Sequence, residues 1–102
     1  MRIVELDAQE WKTALDFYSA VLAAIGGPSF HGRNLNALVD SMIWGGINAI
    51  EPPYTIRILR TESLPESVRD EIAVLKEVIT KARQDFRARN GRDVEIYLEA
   101  DL

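Results

Sequence analysis

Apolar positions recur with two different periods along the chain, and they predict the order strand, helix, short helix, strand, long helix, strand. The strands are expected at residues 2–6, 54–59 and 94–99, where β-forming residues are concentrated. Because helical material separates successive strands, the strands must pair in parallel through right-handed crossovers. We therefore predict an α/β fold, a three-stranded parallel sheet packed with helices, forming a single small domain over residues 1–102.

The first helix is expected to begin at a capping box formed by Asp7 and Glu10 and to end at the Gly-Gly-Pro run of residues 26–28. The first strand, residues 2–6, is rich in aliphatic residues, which predicts burial on both faces. Residues at steps of three and four form the predicted apolar stripe of the helix: Trp11, Leu15, Tyr18, Leu22 and Ile25.

The long helix is expected to begin at a second capping box, Ser63 with Glu66, and to end at Asn90-Gly91. Its predicted buried side consists of Ile72, Leu75, Val78, Ile79, Ala82 and Phe86. The last strand alternates apolar and polar residues, which is typical of a half-exposed edge strand.

Composition limits the function classes. The chain contains no cysteine, which excludes disulfides, zinc thiolates and thiol nucleophiles. A net charge of −4 favours a basic partner and disfavours nucleic acid. Acids near the N-terminus interrupt any signal peptide, and no apolar run reaches the ~20 residues of a membrane span. We expect a cytoplasmic protein with no membrane or nucleic-acid partner, no cofactor and no metal site.

Residues 29–44 hold the densest group of side chains that could act in recognition or catalysis. Gly32 favours a turn, Asn34 is a good helix N-cap, and a short helix is expected over residues 35–43. The predicted inward stripe of this helix is Leu35, Leu38, Val39 and Met42. Asn36 and Asp40 then lie on the outward face, near aromatic residues, which is the usual composition of a recognition surface.

Two other groups of residues suggest chemistry more weakly. His31 with Asp40 could act as an acid–base pair in a small hydrolase, but the chain has no phosphate-binding glycine loop and no nucleophile elbow. We therefore do not expect an enzyme. Cations gather near the end of the long helix, where the helix dipole favours them, and this explains them better than nucleic-acid binding does: Lys81, Arg83, Arg87, Arg89 and Arg92.

Residues 28–40, Pro-Ser-Phe-His-Gly-Arg-Asn-Leu-Asn-Ala-Leu-Val-Asp, resemble the signature of the barstar family: an aromatic pair followed by Gly-x-Asn-Leu-Asp-Ala-Leu-x-Asp. The matching positions keep their spacing without gaps: Gly32, Asn34, Leu35, Ala37, Leu38 and Asp40. The predicted order of elements also agrees with that family over nearly the whole chain.

Proteins of this family are small intracellular inhibitors of secreted guanyl-type ribonucleases. The resemblance implies that the second helix and its preceding loop cover the nuclease active site, with Asp40 in the phosphate-binding centre and Phe30 packed on the enzyme. It implies a protein partner, a basic extracellular-type ribonuclease, and the partner-binding residues Phe30, His31, Gly32, Arg33, Asn34, Leu35, Asn36, Val39, Asp40 and Trp44.

This chain departs from the family pattern at several of these positions. Asn36 replaces an aspartate, His31 replaces the second aromatic residue, and Val39 replaces a tryptophan. Near residues 86–89, where the family prototype has an acid, this chain carries arginines. Fewer acids weaken complementarity to a strongly cationic cleft, so we expect poor binding of the original enzyme type. Either a less basic nuclease or a non-nuclease protein is then the partner.

Overall fold

The computed structural model describes residues 2–26, 39, 42–43 and 52–101. Within these ranges three parallel strands form one sheet in the order β1-β2-β3, and two helices lie between them along the chain. The predicted α/β class with a three-stranded parallel sheet is confirmed. The elements are β1 (Arg2–Asp7), α1 (Ala14–Ile25), β2 (Tyr54–Leu59), α2 (Glu66–Asn90) and β3 (Ile96–Ala100).

One face of the sheet packs against the core, and the central strand β2 contributes buried side chains to it. Tyr54, Ile56 and Ile58 point toward the core, and the register places Ile96 of β3 beside Tyr54. The prediction that the first strand is buried on both faces is wrong. Among the described strands, β1 lies at an edge with β2 as its single neighbour, and Ile3 remains 50 % exposed. The last strand is an edge strand, as predicted.

The predicted start of α1 is also wrong. The Asp7 carboxylate instead accepts a hydrogen bond from the Gln9 N–H (2.9 Å) in a turn that follows β1. The capping box is formed by Thr13 and Asp16, and the N–H groups of residues 12 and 13 hold the pKa of the Asp16 carboxyl below its usual value. The predicted stripe is confirmed at Trp11, Tyr18, Leu22 and Ile25, which are buried, and is wrong only at Leu15, which is 51 % exposed. The buried residues of α1 are Phe17, Tyr18, Val21, Leu22 and Ile25.

Helix α2 begins without a side-chain cap, because Pro65 occupies the N-cap position and the predicted box of Ser63 with Glu66 does not form. Its end is as predicted: Gly91 adopts φ +71°, a left-handed conformation that glycine adopts without a Cβ penalty. Most of the predicted buried side is confirmed, and Val68 extends it: Ile72, Leu75 and Ile79 are buried, while Val78, Ala82 and Phe86 are partly buried.

One hydrophobic core joins these elements. It includes residues of both described helices and the sheet, and also Val39, Met42 and Ile43 from the connection between α1 and β2. The two helices are joined by a hydrogen bond that the Tyr18 hydroxyl donates to the Glu71 carboxylate. Neither of the helices described here is long and apolar enough to cross a membrane.

Candidate functional site

Of the recognition segment predicted from the sequence, residues 29–44, the structure describes Val39, Met42 and Ile43. Val39 is helical and 7 % exposed, and it lies in the core with Met42 and Ile43. This confirms the inward direction predicted for Val39 and Met42. A buried valine offers little surface to a partner, so the role of Val39 as a partner contact stays a prediction.

The remaining predicted partner-binding residues lie outside the described residues: Phe30, His31, Gly32, Arg33, Asn34, Leu35, Asn36, Asp40 and Trp44. The same is true of the inward positions Leu35 and Leu38, and of the proposed acid–base pair. Their predicted roles therefore stay predictions.

The chain on both sides of this segment is attached to the core. On the N-terminal side, α1 ends at Gly26, whose φ of +70° is the left-handed conformation of a helix C-cap. On the C-terminal side, Pro52-Pro53 is a cis peptide and leads directly into buried Tyr54. The Tyr54 N–H donates to the Glu95 carbonyl (3.1 Å). The chain at Gly26 and from Tyr54 onward, together with Val39, Met42 and Ile43 of the segment, therefore belongs to the packed structure.

A row of charged side chains crosses the outer face of the sheet. The Arg57 guanidinium in β2 lies 3.6 Å from the Glu5 carboxylate of β1 and 3.1 Å from the Glu99 carboxylate of β3. Arg60 pairs with Asp7 beside this row at 2.8 Å. Exposed pairs of this kind contribute little to stability. The row could not be predicted from local sequence patterns, because three distant segments supply it through strand register.

Two of the basic residues near the end of α2 pair with an acid, which the helix-dipole interpretation did not include. The Asp93 carboxylate accepts hydrogen bonds from Arg83 Nη2 (2.6 Å) and Arg87 Nη2 (2.8 Å). These two guanidinium groups, Arg83 foremost, lower the pKa of Asp93 to about 2. Arg83 also lies over the ring of Tyr97, with 4.6 Å from its Cζ to the ring centroid. Arg83 and Arg87 therefore make contacts within the fold itself.

No cluster of three or more His, Asp or Glu side chains suited to a metal ion is found among the described residues. The structure provides a packed scaffold with a sheet face of paired charges, and Val39, Met42 and Ile43 attach the connection between α1 and β2 to the core. Such a scaffold can present side chains to another macromolecule.

The family model described as Barstar (barnase inhibitor) matches residues 1–99, which include the whole predicted recognition segment. No curated protein matches the chain.

Proposed function

The chain belongs to the barstar family, and we propose that it inhibits a ribonuclease by covering the active site of the enzyme with residues 30–44. The chain itself is not an enzyme in this proposal. It acts in the cytoplasm of the cell that makes the nuclease, and it needs no cofactor, membrane or nucleic acid. The observation that carries the proposal is the ungapped match of residues 28–40 to the family motif, together with the burial of Val39 and Met42.

Burial of these two residues supports a specific role for Asp40. Successive positions of a helix are about 100° apart, so with Val39 directed into the core we expect the next residue to reach the surface. A ribonuclease must hold phosphate with cationic and N–H donors. A carboxylate placed among such donors forms short, charge-assisted hydrogen bonds, which are stronger than hydrogen bonds between neutral groups. Asp40 would thus occupy the position of a substrate phosphate.

The composition of the segment supports a particular kind of target. Asn36 keeps hydrogen-bonding capacity but not charge, and Arg33, three residues earlier in the sequence, adds a positive charge. A cleft crowded with arginine and lysine would leave some of its cations unpaired against this surface, at a cost in free energy. We therefore propose a ribonuclease whose phosphate site is less basic than that of the enzymes bound by the family prototype.

Titration calorimetry tests this proposal. The protein is titrated with a secreted ribonuclease purified from the organism that encodes it, alongside Asp40→Ala and the control Glu10→Ala, which removes an exposed acid from a turn outside the segment. We expect saturation at equal stoichiometry for the natural chain and for Glu10→Ala, and loss of the heat for Asp40→Ala. Thermal melts must show that Asp40→Ala remains folded, since an exposed polar group contributes little to stability.

Two outcomes would contradict the proposal. If Asp40→Ala unfolds, Asp40 is structural and the assigned contact is wrong. If a strongly basic, guanyl-specific ribonuclease binds tightly and stoichiometrically, the inference of a less basic target fails. A complementary variant, Asn36→Asp, restores the acid of the family pattern and should strengthen binding to such an enzyme.

A second candidate is a module that binds a protein other than a nuclease. The changes at Asn36, His31 and Val39 favour it, because each removes a feature of the family signature. A pull-down from extract of the native cell distinguishes the two candidates, since recovery of a non-nuclease as the main partner supports the second. Turnover of RNA by the purified protein would contradict both, and its loss in His31→Ala would identify the hydrolase instead.

A further inference from the structure

The backbone of β3 has hydrogen-bonding groups that face away from the sheet. The Tyr54 N–H donates to the Glu95 carbonyl at 3.1 Å, and the register places Tyr54 opposite Ile96. In a parallel ladder, the residue opposite such a donor directs its own N–H and C=O groups to the other side. The backbone groups of Ile96, Leu98 and Ala100 therefore face the open edge of the sheet.

The Ile96 groups on this edge are already satisfied. Its N–H donates to the Val94 carbonyl (3.1 Å), and its carbonyl accepts from Arg83 Nη1 (3.5 Å). Within the described part of the chain, the corresponding groups of Leu98 have no partner strand, because β3 pairs with β2 alone. An unpaired strand edge is a template for another strand.

A cavity of about 230 Å³ lies beside this edge, between β3 and α2. Its apolar lining comes from Ile79, Ile96 and Leu98, and Lys76 and Thr80 of α2 form part of its polar lining. A groove between an edge strand and a helix is suited to an extended peptide, which adds main-chain hydrogen bonds along the strand and places alternate side chains in the groove. An aliphatic side chain suits the apolar lining.

The charges on β3 indicate what kind of strand could pair with its open edge. Residues 93–101 contain Asp93, Glu95, Glu99 and Asp101 and no lysine or arginine, although Asp93 is already paired with Arg83 and Arg87 of α2 and Glu99 with Arg57 of β2. A second copy of β3 would bring acids close to acids, and like charges opposite each other on neighbouring strands are destabilising. A strand with basic residues on its outer side would instead lie beside Glu95 and Glu99.

We propose that the open edge of β3 binds an extended segment of another protein in which basic and aliphatic residues alternate. The aliphatic side chains enter the cavity beside α2, and the basic side chains pair with Glu95 and Glu99. The Leu98 N–H and carbonyl form main-chain hydrogen bonds with the added strand. This surface is separate in sequence from residues 30–44 and does not depend on the ribonuclease proposal.

The probe is a short synthetic peptide in which lysine and valine alternate, compared with one in which glutamate replaces lysine. Binding is followed by amide chemical shifts and by hydrogen exchange at Leu98 and Ala100. We expect the lysine peptide to shift these amides and slow their exchange, and the glutamate peptide to bind about tenfold more weakly. A lysine peptide methylated at its backbone nitrogens should not bind, because it cannot donate to the edge.

Two matched pairs of variants locate the site. Thr80→Phe should fill the cavity and weaken binding, whereas Gln84→Phe, one turn further along α2 and outside the cavity lining, should not. Glu99→Lys should reverse the preference between the two peptides, whereas Glu10→Lys makes the same charge change in a distant turn and should leave the preference unchanged.

Several results would overturn the proposal. They are the absence of any change at Leu98 and Ala100 with either peptide, equal affinity for both peptides, full binding of the methylated peptide, or shifts confined to β1. Self-association of the natural chain through β3 would also overturn it, because the charge argument excludes a second copy as the occupant.

Discussion

Removing the hydroxyl that joins the two helices gives the sharpest test of how this fold is held together. Tyr18 in α1 donates to the Glu71 carboxylate in α2, and its ring packs against Phe17 with the centroids 5.2 Å apart. Tyr18→Phe keeps the ring contact and removes only the hydrogen bond. A hydrogen bond to a charged group contributes about 1.5–3 kcal/mol to the free energy of unfolding. Because Glu71 is half-buried and can regain water, we expect the lower end, about 1.5 kcal/mol.

Urea unfolding at neutral pH measures this loss, and thermal melts should show a Tm lower by about 6 °C for a domain of this size. Tyr97→Phe is the matched control. Its hydroxyl donates to the Glu95 carboxylate at an exposed site with a long distance of 3.4 Å, so we expect almost no change. A double-mutant cycle of Tyr18→Phe with Glu71→Ala should show a coupling energy of about 1 kcal/mol.

The free energy of unfolding at alkaline pH provides a second measure of the contact between Tyr18 and Glu71. Burial, and then the hydrogen bond to Glu71, raises the pKa of the Tyr18 phenol above its ordinary value of 10.0. A raised pKa means that the folded state favours the neutral phenol, so this stability is fully present below pH 10 and declines as the pH rises further. Tyr18→Phe should flatten that decline. An unchanged free energy of unfolding, or simple additivity in the cycle, would refute the proposed link between the helices.

Two further predictions concern the core and the acid at the end of α2. Leu75→Ala should lower the free energy of unfolding by about 2–5 kcal/mol because it leaves a cavity, whereas the neighbouring Val74→Ala, at a side chain 42 % exposed, should change it by less than about 1 kcal/mol in urea titrations. Arg83 and Arg87 lower the pKa of Asp93, so its contribution is present above about pH 4 and lost as the pH falls toward 2. Asp93→Asn should remove this acid dependence from unfolding midpoints, and an unchanged pH profile would contradict the assignment.

The order of elements and the parallel sheet could be predicted from apolar spacing, because each crossover needs helical material between strands. The helix starts could not be predicted as reliably. Two sequences matched the capping-box pattern, but Asp7 is the last residue of β1 and Pro65 occupies the cap of α2. The box that does form, Thr13 with Asp16, matches the pattern less closely because aspartate replaces the usual glutamate.

For the candidate site, local spacing predicted the inward residues Val39 and Met42 correctly. The charged row around Arg57 and the pairing of Arg83 with Asp93 could not be predicted in the same way. The row depends on strand register, and the Asp93 contact depends on how the chain turns after Gly91. The identity of the partner depends on the surface of another molecule, so the sequence of this chain does not specify it.

The crossover between β1 and β2 has a consequence for the timing of folding. Residues 8–53 connect two strands that lie side by side, with Arg2 opposite Tyr54, and the predicted recognition segment is part of this connection. Helix α2 is built from local contacts and can form early, whereas β1 cannot pair until that long loop has closed. Val39, Met42 and Ile43, the described residues of that segment, belong to the same hydrophobic core. During synthesis, the core that supports the predicted recognition segment is therefore completed only after this closure, late in folding.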